Sequence, residues 1–109
     1  MEVRATSLDG VLVVKPETIF EDFRGTYVEL YNELLYRETG ITQDFVQDDI
    51  STSSKHVLRG IHGDQKTWKL VSCLYGKFYL VVVNCDEESK DFAKWESFLL
   101  SDRNNLQVL

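Results

Sequence analysis

Within eleven residues the chain places a guanidinium, an imidazole and an ammonium, those of Arg59, His62 and Lys69, among Val57, Leu58, Ile61, Trp68, Leu70 and Val71. Neighbours of that kind belong to half-buried strands rather than to solvated loops. Cationic heads converging on one hollow between strands would hold an anion. An ordinary imidazole also gains and loses a proton at a pH of about 6.5, so the same stretch could bind negative charge and move a proton.

Convergence requires residues 57–62 and 67–75 to be strands that meet through a turn at 63–66. Strict alternation would turn Arg59 and His62, three apart, to opposite faces. Gly60 is the expected relief, because a glycine inside a strand often marks a bulge that resets the facing of the residues after it.

Other segments supply the frame. Residues 10–15 read as a short strand closed by Pro16, the single proline, and 19–24 as an irregular connection. Residues 25–31 alternate, with Tyr27, Glu29 and Tyr31 on one face and Thr26, Val28 and Leu30 on the other, which places Glu29 among inward aromatics. Leu34, Leu35 and the following Gly40 predict one short peripheral helix over 32–39 with a glycine at its C-terminal end. Strands are expected at 45–51, 77–85, 93–100 and 106–109, with a tight hairpin at Tyr75-Gly76-Lys77 and a charged turn over 85–90. Many short strands joined by polar turns make an all-β, antiparallel sandwich or barrel, one domain spanning 1–109.

Composition limits the partners. A net charge of −6 and a pI of about 4.8 argue against nucleic acid and against anionic membrane surfaces, which need a basic face. Phosphate binding would fall to a local pocket built from Arg24, Arg59, Lys66 and Lys69. No stretch approaches the ~18 apolar residues of a membrane span and no basic start precedes an apolar run, so the chain reads as cytoplasmic. Cys73 and Cys85 lack CxxC spacing and read as reduced core thiols. The only histidines, His56 and His62, lie six apart with no third to complete a set of ligands, so no metal is expected.

The blocks Phe45-Val46-Gln47-Asp48-Asp49, Ser53-Ser54-Lys55, Val57-Leu58-Arg59-Gly60-Ile61-His62 and Lys69-Leu70-Val71 resemble, in order and spacing, the nucleotide-sugar 3,5-epimerases typified by dTDP-4-dehydrorhamnose 3,5-epimerase. Gly10-Val11-Leu12-Val13 and the stretch from Arg24-Gly25 to Glu29 match too, and the resemblance runs from about residue 8 to residue 109. It implies a metal-free cupin-type antiparallel jelly roll, a homodimer whose N-terminal strands cross between subunits, and a nucleotide-diphosphate 4-keto sugar as substrate. It also implies inversion at C3, C5 or both by base-catalysed enolisation, without a cofactor, in the making of surface polysaccharide sugars. His62 matches the family's base, and Lys69 matches the lysine whose charge would stabilise the enolate oxygen. Arg59 matches an arginine that holds the diphosphate. Arg24 and Glu29 match nucleotide-contacting positions, and Gln47 and Asp49 positions near the sugar or base.

Family members are longer, and their tyrosine acid and the aspartate behind the histidine fall past Leu109, so an incomplete jelly roll is expected. Gly63-Asp64 stands where the dTDP-rhamnose branch has an aromatic and a glutamine, and Asp49 where asparagine is common. Residues 60–64 with 67–70 are more similar to relatives acting on GDP-linked 4-keto-6-deoxy-heptoses. Two other readings stand beside the epimerase: a catalytically inactive sugar-nucleotide-binding fragment, and a ketoisomerase that moves the carbonyl.

Overall fold

A computed structural model describes residues 1–109. Strands β1 (Glu2–Ala5) and β2 (Leu12–Lys15) form a hairpin in which Val3 pairs with Val14 and Arg4 with Val13. β2 then pairs with the last strand of the chain, Gln107–Val108, which pairs in turn with Val71–Ser72, all antiparallel. In chain order the remaining elements are β3 (Ile19–Asp22), β4 (Gly25–Val28), α1 (Glu33–Glu38), β5 (Val71–Ser72), β6 (Lys77–Val83), β7 (Trp95–Ser101) and β8 (Gln107–Val108). β3 pairs with β4 and β6 with β7, each as a separate antiparallel hairpin.

The four-stranded sheet is covered on both faces. Val13, Cys73 and Val108 point to one side, where they meet Leu100 and, from the long hairpin, Leu80, Val82 and Phe98. Val14 points to the other, against Tyr36 and Ile41, with Leu35, Phe45, Leu70 and Leu109 packed around them. Successive residues entering opposite clusters is the period of two that a strand imposes. It also explains why these strands read as continuous apolar runs rather than as alternation.

The helix forms where the sequence predicts it. Asn32 caps it by accepting from the Leu35 amide at 3.3 Å, Glu33 and Arg37 pair one turn apart at 2.9 Å, and Gly40 takes the left-handed conformation just after its end. It is not peripheral, however. Its Tyr36 is buried in the second cluster, so α1 is part of the cover over the sheet.

Several expected boundaries differ. Residues 2–5 form a strand that their mixed composition does not suggest, and residues 19–22 form β3 rather than an irregular link. The strand in segment 25–31 ends at Val28, and its two tyrosines part: Tyr27 faces solvent, tilted across the hairpin against Phe20 at 6.5 Å, whereas Tyr31 packs edge-on against Tyr36 at 4.9 Å and Phe45 at 5.3 Å.

The largest difference is at residues 42–70, which contain no strand, so those expected at 45–51 and 57–62 are absent, and of 67–75 only β5 forms. Every side chain from Val46 to Lys69 is exposed. No other part of this chain lies alongside to complete a ladder, and apolar alternation without a hydrogen-bonding neighbour does not make a strand. β5 appears where β8 offers one.

No helix is long and apolar enough to cross a membrane.

Candidate functional site

Arg59, His62 and Lys69 all lie on the exposed arm 42–70. Ile41 and Phe45 fasten one end of the arm to the second cluster, and Leu70 and Val71 fasten the other. Between these anchors the arm is shaped by its own polar contacts. Arg59 folds back, its Nε donating to Ser53 Oγ at 2.9 Å and a terminal nitrogen to the Thr52 carbonyl at 3.1 Å. Part of its fork is thereby used, and the remaining donors face outward.

Gly60 comes next, with φ of +103°, a backbone region open to glycine and strained for other residues. A Cβ at this position would sit 3.4 Å from Nδ1 of His62, so the glycine also makes room for the imidazole to lie against the turn. The bulge expected at Gly60 is absent, because residues 57–62 form no strand whose facing it could reset.

The turn 63–66 is set by Asp64, whose carboxylate accepts from the backbone amides of Lys66 at 2.8 Å and Thr67 at 2.7 Å. Donation by Lys66 first, and then by Thr67, holds the Asp64 carboxyl below the usual carboxylate range, with a smaller contribution from the charge of Lys69.

The other expected binding residues fall in two further places. Gln47 donates to Asp49 at 2.9 Å on the exposed early part of the arm. Arg24 lies on the β3–β4 turn, clamped to Asp22 through Nε and a terminal nitrogen, the shortest contact being 2.6 Å, with Phe23 beneath it at 5.9 Å. The Arg24 side chain holds the Asp22 carboxyl below its ordinary range, and Asp22 raises Arg24 in return. Glu29, half-buried just past β4, ties its backbone N–H to the Thr18 carbonyl at 3.0 Å.

Arg59, His62 and Lys69 thus share the exposed arm with the Gln47–Asp49 pair without bonding one another, while Arg24 and Glu29 stand at opposite ends of β4. The structure does not enclose them. Clefts of about 200 and 480 Å³ lie elsewhere, sharing Lys15 and Leu106, and neither is lined by His62 or Lys69. The dry pocket expected between strands is not built by this chain alone, for the same reason that the strands are not.

One constellation has almost no signature in the sequence. At the foot of the arm, the buried Gln107 side chain accepts from the Tyr36 hydroxyl and donates through Nε2 to the Leu30 carbonyl at 2.8 Å and to Ser72 Oγ at 3.0 Å. Burial pushes the Tyr36 phenol up to about 12, with the Gln107 hydrogen bond opposing and Tyr31 and Glu29 adding to the rise. The one signal is a lone amide between Leu106 and Val108. Both thiols are free, Cys73 buried and Cys85 exposed, so the expectation of two core thiols holds for Cys73 alone; no three His, Cys, Asp or Glu residues cluster as metal ligands would.

Comparison with known proteins decides the family. A family model described as dTDP-4-dehydrorhamnose 3,5-epimerase matches residues 5–109. The chain belongs to that family.

Among curated dTDP-4-dehydrorhamnose 3,5-epimerases, the one from Escherichia coli is 38% identical over 99% of this chain, and the one from Methanothermobacter thermautotrophicus 38% identical over 91%. The chain spans 60% and 54% of these two relatives' own lengths. The Bacillus anthracis epimerase crystallised with TDP and PPi superimposes with a TM-score of 0.87 at 30% identity, over 99% of this chain and 63% of that one. The Legionella pneumophila dTDP-6-deoxy-D-glucose-3,5-epimerase, in complex with dTDP-4-keto-L-rhamnose, gives 0.88 at 36% identity over 98% and 58%. The fold is accordingly the all-β cupin-type jelly roll of these epimerases, represented by part of its strands.

Proposed function

We propose that this chain provides the base-bearing and phosphate-binding part of an epimerase that inverts C3, C5 or both of a nucleotide-diphospho-4-keto-6-deoxy sugar. The observation that carries this reading is the superposition on the L. pneumophila enzyme, which covers 98% of the chain. So large a share leaves no room for the arm 42–70 to be outside it.

The carbons flanking a ketone carry acidic protons. A neutral imidazole at His62 removes one, and the resulting enolate takes a proton back on the opposite face of the ring. Lys69 places a fixed positive charge by the enolate oxygen, where negative charge develops. Arg59 and Arg24 hold the diphosphate through planar forks that match phosphate oxygens. Glu29 contacts the nucleotide, and Gln47 and Asp49 contact the sugar or base.

Further β-structure must close over the arm, because Val46, Ile50, Leu58 and Ile61 are exposed and their ladder groups are unpaired. Strands corresponding to the rest of the relatives' length would supply it. A second copy of the chain would cover the β3–β4 hairpin, whose Phe20, Phe23 and Tyr27 are also exposed, giving a homodimer. The reading places the protein in the cytoplasm with its nucleotide-linked substrate, for surface polysaccharide synthesis. The likeness of residues 60–64 with 67–70 favours a GDP-linked heptose, and Asp49 departs from the asparagine common in the dTDP-rhamnose branch.

Incubation of the chain in heavy water with dTDP- and GDP-linked 4-keto-6-deoxy sugars tests this. Deuterium at one or both carbons beside the carbonyl is the expected result, and the preferred nucleotide identifies the branch. Migration of the carbonyl would make the protein a ketoisomerase instead. Binding without any exchange would make it a binding module, the reading that the unenclosed arm favours.

A further inference from the structure

We propose that Gln107 is a positioning residue, whose amide locks the segment carrying Lys69 in register with the segment carrying Glu29. The inference rests on the proposed epimerase function, in which both residues serve one substrate. Ser72 lies three residues beyond Lys69, and Leu30 one beyond Glu29. Gln107 donates to both, and its oxygen accepts from Tyr36, so the amide joins β8, β5, α1 and the segment just past β4 at one buried point.

The need for such a lock lies in the brevity of β5. The arm enters the sheet through only two ladder positions, Val71 opposite Val108 and Ser72 opposite Gln107. Leu70 enters the Tyr36 cluster while Val71 and Cys73 enter the opposite one, and the exposed Lys69 precedes this junction by one residue. A slip of one residue would exchange the faces taken by Leu70, Val71 and Ser72 and carry Lys69 out of place with them. An apolar side chain at position 107 would fill the same space and favour neither register. The amide bonds Ser72 only in the observed one, which is the use of a buried polar group to specify a single arrangement.

Every polar atom of the amide has a partner. Nε2 spends its two protons on Leu30 and Ser72, and the Tyr36 hydroxyl lies within donating distance of both Oε1 and the Leu30 carbonyl, the latter at 2.6 Å. Truncating one partner therefore strands another, while replacing both Gln107 and Tyr36 by apolar residues of similar size strands fewer.

Three variants test the lock: Gln107→Met, Tyr36→Phe, and the two combined, each measured for thermal stability, for kcat and KM of ring-proton exchange, and for amide protection at Val71 and Val108. We expect Gln107→Met to lower kcat by about tenfold or more through misplacement of Lys69, with KM little changed. The double variant should regain stability without regaining kcat or protection. Recovery of kcat in step with stability would overturn the proposal, since a purely structural role predicts it. A parent chain that shows no exchange overturns the proposed function by itself. The register lock is then decided by protection alone, whose loss in Gln107→Met supports it and whose persistence overturns it.

Discussion

The β6–β7 hairpin and the arm 42–70 are both long segments bearing alternate apolar residues, and they end in opposite states. In the hairpin an unbroken ladder runs from Lys77 opposite Ser101 to Val83 opposite Trp95, because the turn between the strands brings each residue a partner from the same chain. Its inner residues Leu80, Val82, Phe98 and Leu100 then pack on the sheet. The arm has apolar residues of the same kind, but nothing lies alongside it, and it is held by its two ends and by the side chains of Arg59 and Asp64. Pairing, not composition, separates the two. The stable region carries no candidate chemistry, and the unpaired region carries most of it.

The contrast can be broken at several points. The largest effect should come from His62→Ala, which is expected to lower ring-proton exchange by about 10²- to 10⁴-fold, the usual contribution of a positioned base, while nucleotide binding stays within severalfold. Isotope incorporation and titration with the nucleotide diphosphate measure the two separately, and unchanged exchange would remove His62 from its role.

Next, Leu100→Ala should destabilise by about 2 to 5 kcal/mol, since Leu100 is fully buried where hairpin and sheet meet. The same truncation at Leu58, 92% exposed on the arm, should stay within about 0.5 kcal/mol. Denaturant unfolding distinguishes them, and equal losses would mean that the arm is packed in solution. Arg59→Ala should weaken nucleotide-diphosphate binding by about 1.5 to 3 kcal/mol, as for a lost hydrogen bond to a charged group, and leave the fold intact.

The smallest effect is on pH dependence. The Tyr36 phenol is held protonated in the fold, pushed up to about 12, whereas an unfolded phenol titrates near pH ~10. Its contribution is therefore complete below the unfolded value and is lost as pH rises toward the folded one. Tyr36→Phe should remove that alkaline loss from a series of unfolding curves, and an unchanged slope would show that the phenol is not protected.

Legibility in the sequence divides along the same line. Residues 10–15, the helix after Asn32 and the two strands around the 84–94 turn are legible because caps, turns and partners lie close in sequence. β1 is not, because Glu-Val-Arg-Ala has little strand character of its own and is made a strand by β2. The motif residues Arg59, His62 and Lys69 are legible through their resemblance to a family pattern. That this chain leaves them exposed is not legible, because whether a strand forms depends on partners distant in sequence. Gln107 is silent because a lone polar residue in an apolar strand gives no hint of which distant groups it will bond.

Amide hydrogen exchange, residue by residue, tests the difference between the two regions most directly. Amides of residues 46–69, apart from the hydrogen-bonded Val57, Lys66 and Thr67, should exchange at least about a hundredfold faster than those of β6 and β7, as expected for backbone groups open to water rather than released by cooperative unfolding. Protection of the arm equal to that of the hairpin would contradict the account, because it would mean that these residues already possess the ladder partners this structure denies them.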